Sequence, residues 1–193
     1  SSFLRFLPLG DAPLPVAPRE IDAVILTHAH IDHSGYLPLF VKNGFRGKIY
    51  STHATRDLCE ILLPDCGHLQ EEEARYANRH GFSKHAPALP LYARADAELA
   101  LRSFRPVEFA RRIELGSELA FELSPSGHIL GSAFVALSAK GRSIVFSGDL
   151  GRRDDPIMRD PATFQEADYL VIESTYGDRL HAREDPATKL GEI

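Results

Sequence analysis

Apolar positions follow two rhythms along this chain. Short apolar runs closed by polar residues occur at 22–27 (DAVILT) and 47–52 (GKIYST), and each predicts a strand. Between them, residues 35–45 (GYLPLFVKNGF) predict a short helix ending at Gly44. Residues 53–80 place apolar side chains three and four apart, which predicts a helix interrupted near Pro64. A loop holding Pro87 and Pro90 precedes a second helical stretch at 96–104. Strand patterns then succeed one another at 105–109, 117–124, 132–139 and 142–148, with Lys140-Gly141 as a tight turn between the last two. Residues 167–175 (ADYLVIEST) read as a final buried strand, and residues 185–193 as the beginning of a helix. Residues 3–20, punctuated by Pro8, Pro13, Pro15 and Pro18, read as loop. Strand, helix, strand, helices and then a strand-rich stretch predict a layered α/β domain.

Composition narrows the functional classes. The 193 residues suffice for one domain with a core. No apolar run approaches the ~18 residues of a membrane span. The opening SSFLRFLPLGDAPLPVAP lacks the apolar centre of a signal peptide and reads as the trailing part of a longer polypeptide. Cys59 and Cys66 have neither zinc-finger spacing nor partners for a disulfide framework, and read as reduced thiols of a cytoplasmic protein. A net charge of -5 gives no electrostatic footprint for a polyanion. An RNA or DNA partner therefore has to be argued from the site itself.

The chemistry concentrates where the first strand ends. THAHIDHSG (27–35) places His28, His30, Asp32 and His33 within six residues. Alternate positions of an extended segment face the same way, so His28 and His30 can address one ion. Asp32 and His33, beyond a chain turn, can address the same ion or a second one. Imidazole and carboxylate together suit zinc and other divalent transition metals. Three further sites stand at strand ends: His128 in SGHILGSA, Asp149 in FSGDLGR and Glu173 in IESTYGDR. Taken singly, these read as a loop histidine, a turn aspartate and a salt-bridged strand-end glutamate. His53, His68, His80, His85 and His181 have no partners at metal-binding spacing and read as solvated or packing residues.

Taken together, HAHIDH, SGHILGSA, FSGDLGR and ESTYGDR resemble the metallo-β-lactamase superfamily, and ESTYGDR, YSTHATRDL and GHILGSA resemble its β-CASP branch of RNA-processing enzymes. The resemblance covers nearly the whole chain. It implies an αββα metallo-β-lactamase sandwich of α/β class, here partial, with residues 1–180 as the metallo-β-lactamase-like domain and 181–193 as the start of the β-CASP insertion. It implies two zinc ions, with manganese as the alternative. His28, His30 and His128 would bind the first, Asp32 and His33 the second, and Asp149 would bridge them. Asp32 would also orient the attacking water, and Glu173 would orient a histidine supplied later in the chain.

The implied activity is a two-zinc ribonuclease, endo- or 5′-to-3′ exonucleolytic, acting on single-stranded RNA, with DNA as the alternative polymer and a homodimer as one assembly. Rival readings are a small-molecule hydrolase of thioesters, lactones or phosphodiesters, and a non-catalytic scaffold subunit. Filled ligand positions argue against the scaffold. Two departures stand out. No aspartate-glycine turn precedes HAHIDH, and neither the family's last ligand histidine nor its proton-donor histidine is present. Weak activity of these residues alone, and exposed apolar surface, are the expectations that follow.

Overall fold

The computed structural model describes residues 16–164, 166–179 and 186–191. The loop reading of 3–15, His181 and the reading of 181–185 as the start of an insertion lie outside the described residues.

Two sheets carry the architecture. The first holds three parallel strands, β1 (Ala23–Ile25), β2 (Lys48–Ser51) and β3 (Phe104–Pro106), in that order. The second holds β4 (Ile113–Glu114), β5 (Leu119–Pro125), β6 (Ala133–Ala139), β7 (Arg142–Phe146) and β8 (Tyr169–Val171) in sequence order. It is antiparallel up to β7, and β8 joins parallel. Helices α1 (Ile31–Ser34), α2 (Leu37–Lys42), α3 (His53–His80) and α4 (Arg94–Leu101) lie between the strands of the first sheet in sequence, and α5 (Pro186–Gly191) follows β8.

Alternation along β1 and β2 builds the layers. Val24 and Ile49 pack into a core with Phe40, Phe45, Leu63, Ala97 and Phe104, where α2, α3 and α4 cover the first sheet. Their neighbours Ile25 and Tyr50 point the other way, onto Phe121, Leu123, Ala133 and Val135 of the second sheet. A period of two thus divides adjacent residues between two cores.

Several expectations need correction. Helix α3 runs unbroken for 28 residues with Pro64 inside it. Pro64 forgoes one helical hydrogen bond, but it is buried beside Leu63, Cys59 and Gly67, so packing outweighs the local penalty. The helix expected at 96–104 is displaced to Arg94–Leu101, because Phe104–Pro106 pair with β2. A 3-10 turn, Pro18–Glu20, stands in the described part of the expected loop. Strand β8, expected to be buried, is exposed at all three residues, with Tyr169 at 53%, Leu170 at 60% and Val171 at 50%. Among the described residues it pairs with β7 alone, and its side chains stay at least half exposed.

A cleft of about 980 Å³ separates the sheets toward the N-terminal ends of β1 and β2, where Ile21, Ala23 and Lys48 line one wall and Leu119 and Leu137 the other. None of His28, His30, His33, His128 or Asp149 lines it. The strand ends that matter chemically are the opposite ones.

Candidate metal centre

Strand β1 delivers Thr27 to His30 in extended backbone, and α1 then turns the chain so that Asp32 and His33 fall on its first turn. Ser34 Oγ donates to the Ala29 carbonyl at 2.8 Å and ties the turn back onto the histidine segment. From the second sheet, the β5–β6 loop brings His128, and the turn after β7 brings Asp149. Two backbone bonds join these pieces. The Ala133 amide donates to the Thr27 carbonyl at 2.9 Å, and the Gly151 amide donates to the Ser126 carbonyl at 2.8 Å. Glycine is required at 151, since a Cβ there would lie 1.9 Å from the Gly127 carbonyl oxygen.

One ligand atom from each of His28, His30, His128 and Asp149 falls within 4.8 Å of the others. His30 Nδ1 lies 3.1 Å from both His28 Nε2 and His128 Nε2. Asp149 Oδ2 lies 3.6 Å from His28 Nε2 and 3.4 Å from His128 Nε2. The other carboxylate oxygen, Oδ1, lies 3.3 Å from His33 Nε2, which is itself 3.6 Å from Asp32 Oδ2. Asp149 therefore presents one oxygen to the three-histidine side and the other to the His33–Asp32 side. Every ligand position read from the sequence is at this one place.

The donor set suits a divalent ion of the zinc type. His28 is fully buried, and burial, followed by the imidazoles of His33, His30 and His128, holds its pKa down to about 3 against the raising effect of Asp32. It is thus a neutral imidazole with a lone pair to give. Thr27 Oγ1 lies 3.1 Å from His28 Nδ1. With Thr27 accepting the Nδ1 proton, Nε2 is left free to face His30 and Asp149, an arrangement typical of metal-ligating histidines. Three imidazole nitrogens and a carboxylate oxygen at this spacing fit a tetrahedral zinc shell in chemistry and in number.

Glu173 is half-buried beyond β8 and accepts a hydrogen bond from the Leu150 amide, next to Asp149. Its own amide donates to Ser147 Oγ at 3.0 Å. Among the described residues, its carboxylate thus braces the Asp149 turn. Ser132, which the sequence reading passed over, is buried, and its Oγ accepts from the amides of His128 and Ile129 at 3.0 and 3.1 Å. A serine four residues after a loop histidine was the available signal. Tyr176 and Arg179 form a cation–π pair at 5.7 Å on the exposed turn beyond Glu173. His53 is paired with Glu108 at 3.3 Å on the surface, in keeping with its bland reading.

The sequence profile of the Beta-lactamase superfamily domain matches residues 3–185. The chain belongs to this superfamily. The layered α/β fold, with two sheets and helices, is the fold class this membership carries. Among curated relatives, the chain is 40% identical over 170 residues to Ribonuclease TTHA0252 of Thermus thermophilus, covering 88% of this chain and 35% of that protein. It is 31% identical over 193 residues to Transcription termination factor FttA of Methanocaldococcus jannaschii, covering 96% of this chain and 28% of that protein. It is 31% identical over 178 residues to Cleavage and polyadenylation specificity factor subunit 3-I of Arabidopsis thaliana, covering 89% of this chain and 24% of that protein. The chain thus spans about a quarter to a third of the length of these relatives. Superfamily membership and the histidine–aspartate cluster together imply a divalent metal.

Proposed function

We propose that this chain supplies the metal centre of a β-CASP-type ribonuclease that hydrolyses phosphodiester bonds in single-stranded RNA. The observation that carries this reading is the placement of Asp149 between two donor groups, His28, His30 and His128 on one side and His33 and Asp32 on the other. Similarity to proteins named as a ribonuclease, a cleavage factor subunit and a termination factor supports RNA over DNA and over a small-molecule substrate. In this reading, residues 1–180 form the metallo-β-lactamase-like domain and 181–193 lead into the β-CASP insertion. No described helix is long and apolar enough to cross a membrane, and a cytoplasmic location belongs to the same proposal.

His28, His30 and His128 would hold one zinc ion and Asp32 and His33 a second, with Asp149 standing between the two donor groups. When bound, the ions supply Lewis acidity that acidifies water and offsets charge growing on phosphoryl oxygens. The protein's own groups do the rest. Buried, neutral His28 keeps its lone pair available across the working pH range. Asp32, with its side chain 73% exposed, is the carboxylate that reaches solvent, and it holds and orients the attacking water. Glu173, through the Leu150 amide, fixes the turn from which Asp149 projects. The net charge of -5 on these 193 residues offers a polyanion no general attraction, so attraction of the phosphate is local to the centre.

The test uses end-labelled single-stranded RNA and the full-length protein that carries these residues, metal-depleted and then reloaded with zinc or manganese. Cleavage that disappears with the metal and returns with zinc is the expected outcome, and product length separates internal from end-wise attack. A zinc-loaded protein that leaves RNA intact while hydrolysing a thioester or lactone would overturn the reading.

A further inference from the structure

The strongest unassigned feature lies behind His128. The hydroxyls of Thr52 and Thr55, at the start of α3, converge on one backbone carbonyl, that of Gly131. Thr52 Oγ1 lies 2.7 Å from it and Thr55 Oγ1 3.0 Å, across sequence separations of 79 and 76 residues. Both threonines are buried, at 4% and 0% exposure. A carbonyl oxygen has two lone pairs and can accept from both hydroxyls.

The loop between β5 and β6 is shaped for this contact. Gly131 has φ +78, and a Cβ there would stand 2.6 Å from both Thr52 Oγ1 and the Thr55 amide nitrogen. Only glycine lets the loop seat on the helix start at this distance. From within, Ser132 Oγ accepts the His128 and Ile129 amides, and the Ser132 amide donates back to the Ile129 carbonyl at 3.0 Å. The segment carrying His128 is therefore held on its inner side by a serine and on its outer side by two threonines. The support is rigid, because α3 is rooted in the core through Cys59, Leu63, Pro64 and Gly67.

Helix capping accounts for only part of this. Thr52 caps α3 by accepting from the Thr55 amide at 3.2 Å. The Thr55 hydroxyl takes no helix amide; it lies 3.0 Å from Thr52 Oγ1 and 3.0 Å from the Gly131 carbonyl, so the two hydroxyls and that carbonyl form one network.

We propose that Thr52 and Thr55 are positioning residues that set His128 in place among the metal donors, so that the first turn of α3 tunes metal affinity from outside the ligand shell. This rests on the metal reading of His28, His30, His128 and Asp149. Thr55→Val is the informative variant, since it keeps the side-chain shape and spares the Thr52 cap, and Thr55→Ser restores a hydroxyl.

Zinc affinity is measured in the full chain by competition with a chromophoric chelator, and amide hydrogen exchange is followed in the metal-free protein. Thr55→Val is expected to bind zinc roughly 10–100-fold more weakly, as for other groups that orient ligands. Thr55→Ser is expected to return close to wild type. Exchange should quicken at 128–132 while the β5–β6 ladder stays protected. Wild-type zinc affinity in Thr55→Val overturns the inference, whether or not exchange quickens, because the threonine would then be structural only. Equal weakening in Thr55→Ser overturns it as well. A wild-type protein that holds no zinc overturns the metal reading itself and this inference with it, which separates the two failures.

Discussion

At the scale of single residues, the centre depends on what each carboxylate does with its two oxygens. Asp149 divides its pair between His28 and His128 on one side and His33 on the other. Asp149→Asn keeps the shape, removes the charge and leaves one oxygen. Zinc affinity should fall by more than the ~10–100-fold that an outer partner costs, and zinc-to-protein stoichiometry after dialysis measures this. Glu173 makes a different prediction. Its carboxylate accepts the Leu150 amide, so Glu173→Gln preserves an acceptor and Glu173→Ala does not. Metal retention should survive in the glutamine variant and drop in the alanine variant, while RNA cleavage drops in both if the charge also serves the reaction. Equal metal retention in the two variants would confine Glu173 to the reaction. HAHIDH was legible because its four side chains are local, with strand and turn geometry aiming them together. Thr55 and Ser132 were not, since a hydroxyl's partner across the fold leaves no mark in its neighbours along the chain.

At the scale of elements, the turn between β6 and β7 and the start of α4 each carry a testable choice. Ala139 pairs with Arg142, leaving Lys140 and Gly141 as a two-residue loop with φ of 51 and 74. Positive φ at both positions fits the hairpin turn in which asparagine-glycine is preferred, and lysine is strained there. Lys140→Asn should raise stability by about 0.5–1 kcal/mol in a denaturant titration, and the exposed Lys140–Glu118 pair at 3.7 Å offsets little of it.

Helix α4 has Asp96 accepting the Ala93 amide and paired with Lys42 Nζ, both at 2.9 Å. Burial opposes charge on Asp96, but the Ala93 amide and Lys42 together outweigh it and hold its pKa below 3.8. A carboxylate with a lowered folded pKa stabilises above its unfolded pKa, and that stabilisation is lost as pH falls through the folded value. Asp96→Asn should therefore cost about 1 kcal/mol near neutral pH, and the gap to wild type should close well below pH 3.8. A gap unchanged across that acid range would refute the charged pairing. The hairpin was readable because a lysine-glycine pair between alternating strands is a local signal. Helix α3 past Pro64 and the exposed β8 were not, because burial of one and exposure of the other depend on what packs against them.

At the scale of the whole molecule, the metal donors come from both sheets. His28, His30 and His33 follow β1 of the first sheet, while His128 follows β5 and Asp149 follows β7 of the second. The sheets meet through Ile25 and Tyr50 against Phe121 and Val135, and Ile25, Tyr50 and Val135 also line the cleft that reaches Ile21 and Leu137. An ion held by donors from both sheets is therefore a cross-link between them, and it binds the folded state alone. Mass action then converts affinity into stability, about 4 kcal/mol when free metal stands a thousandfold above its dissociation constant. For a chain of this size, each kcal/mol moves the thermal midpoint by roughly 2–4 °C. Chelation should lower the midpoint by about 8–16 °C in a calorimetric scan, and added zinc should restore it. His128→Ala, which removes a second-sheet donor, should start near the chelated midpoint and respond little to zinc. Asp32→Asn, at an exposed carboxylate outside the four-donor cluster, should keep most of the zinc response. A midpoint indifferent to chelation would mean that the two sheets are held by Tyr50, Phe121 and their neighbours alone.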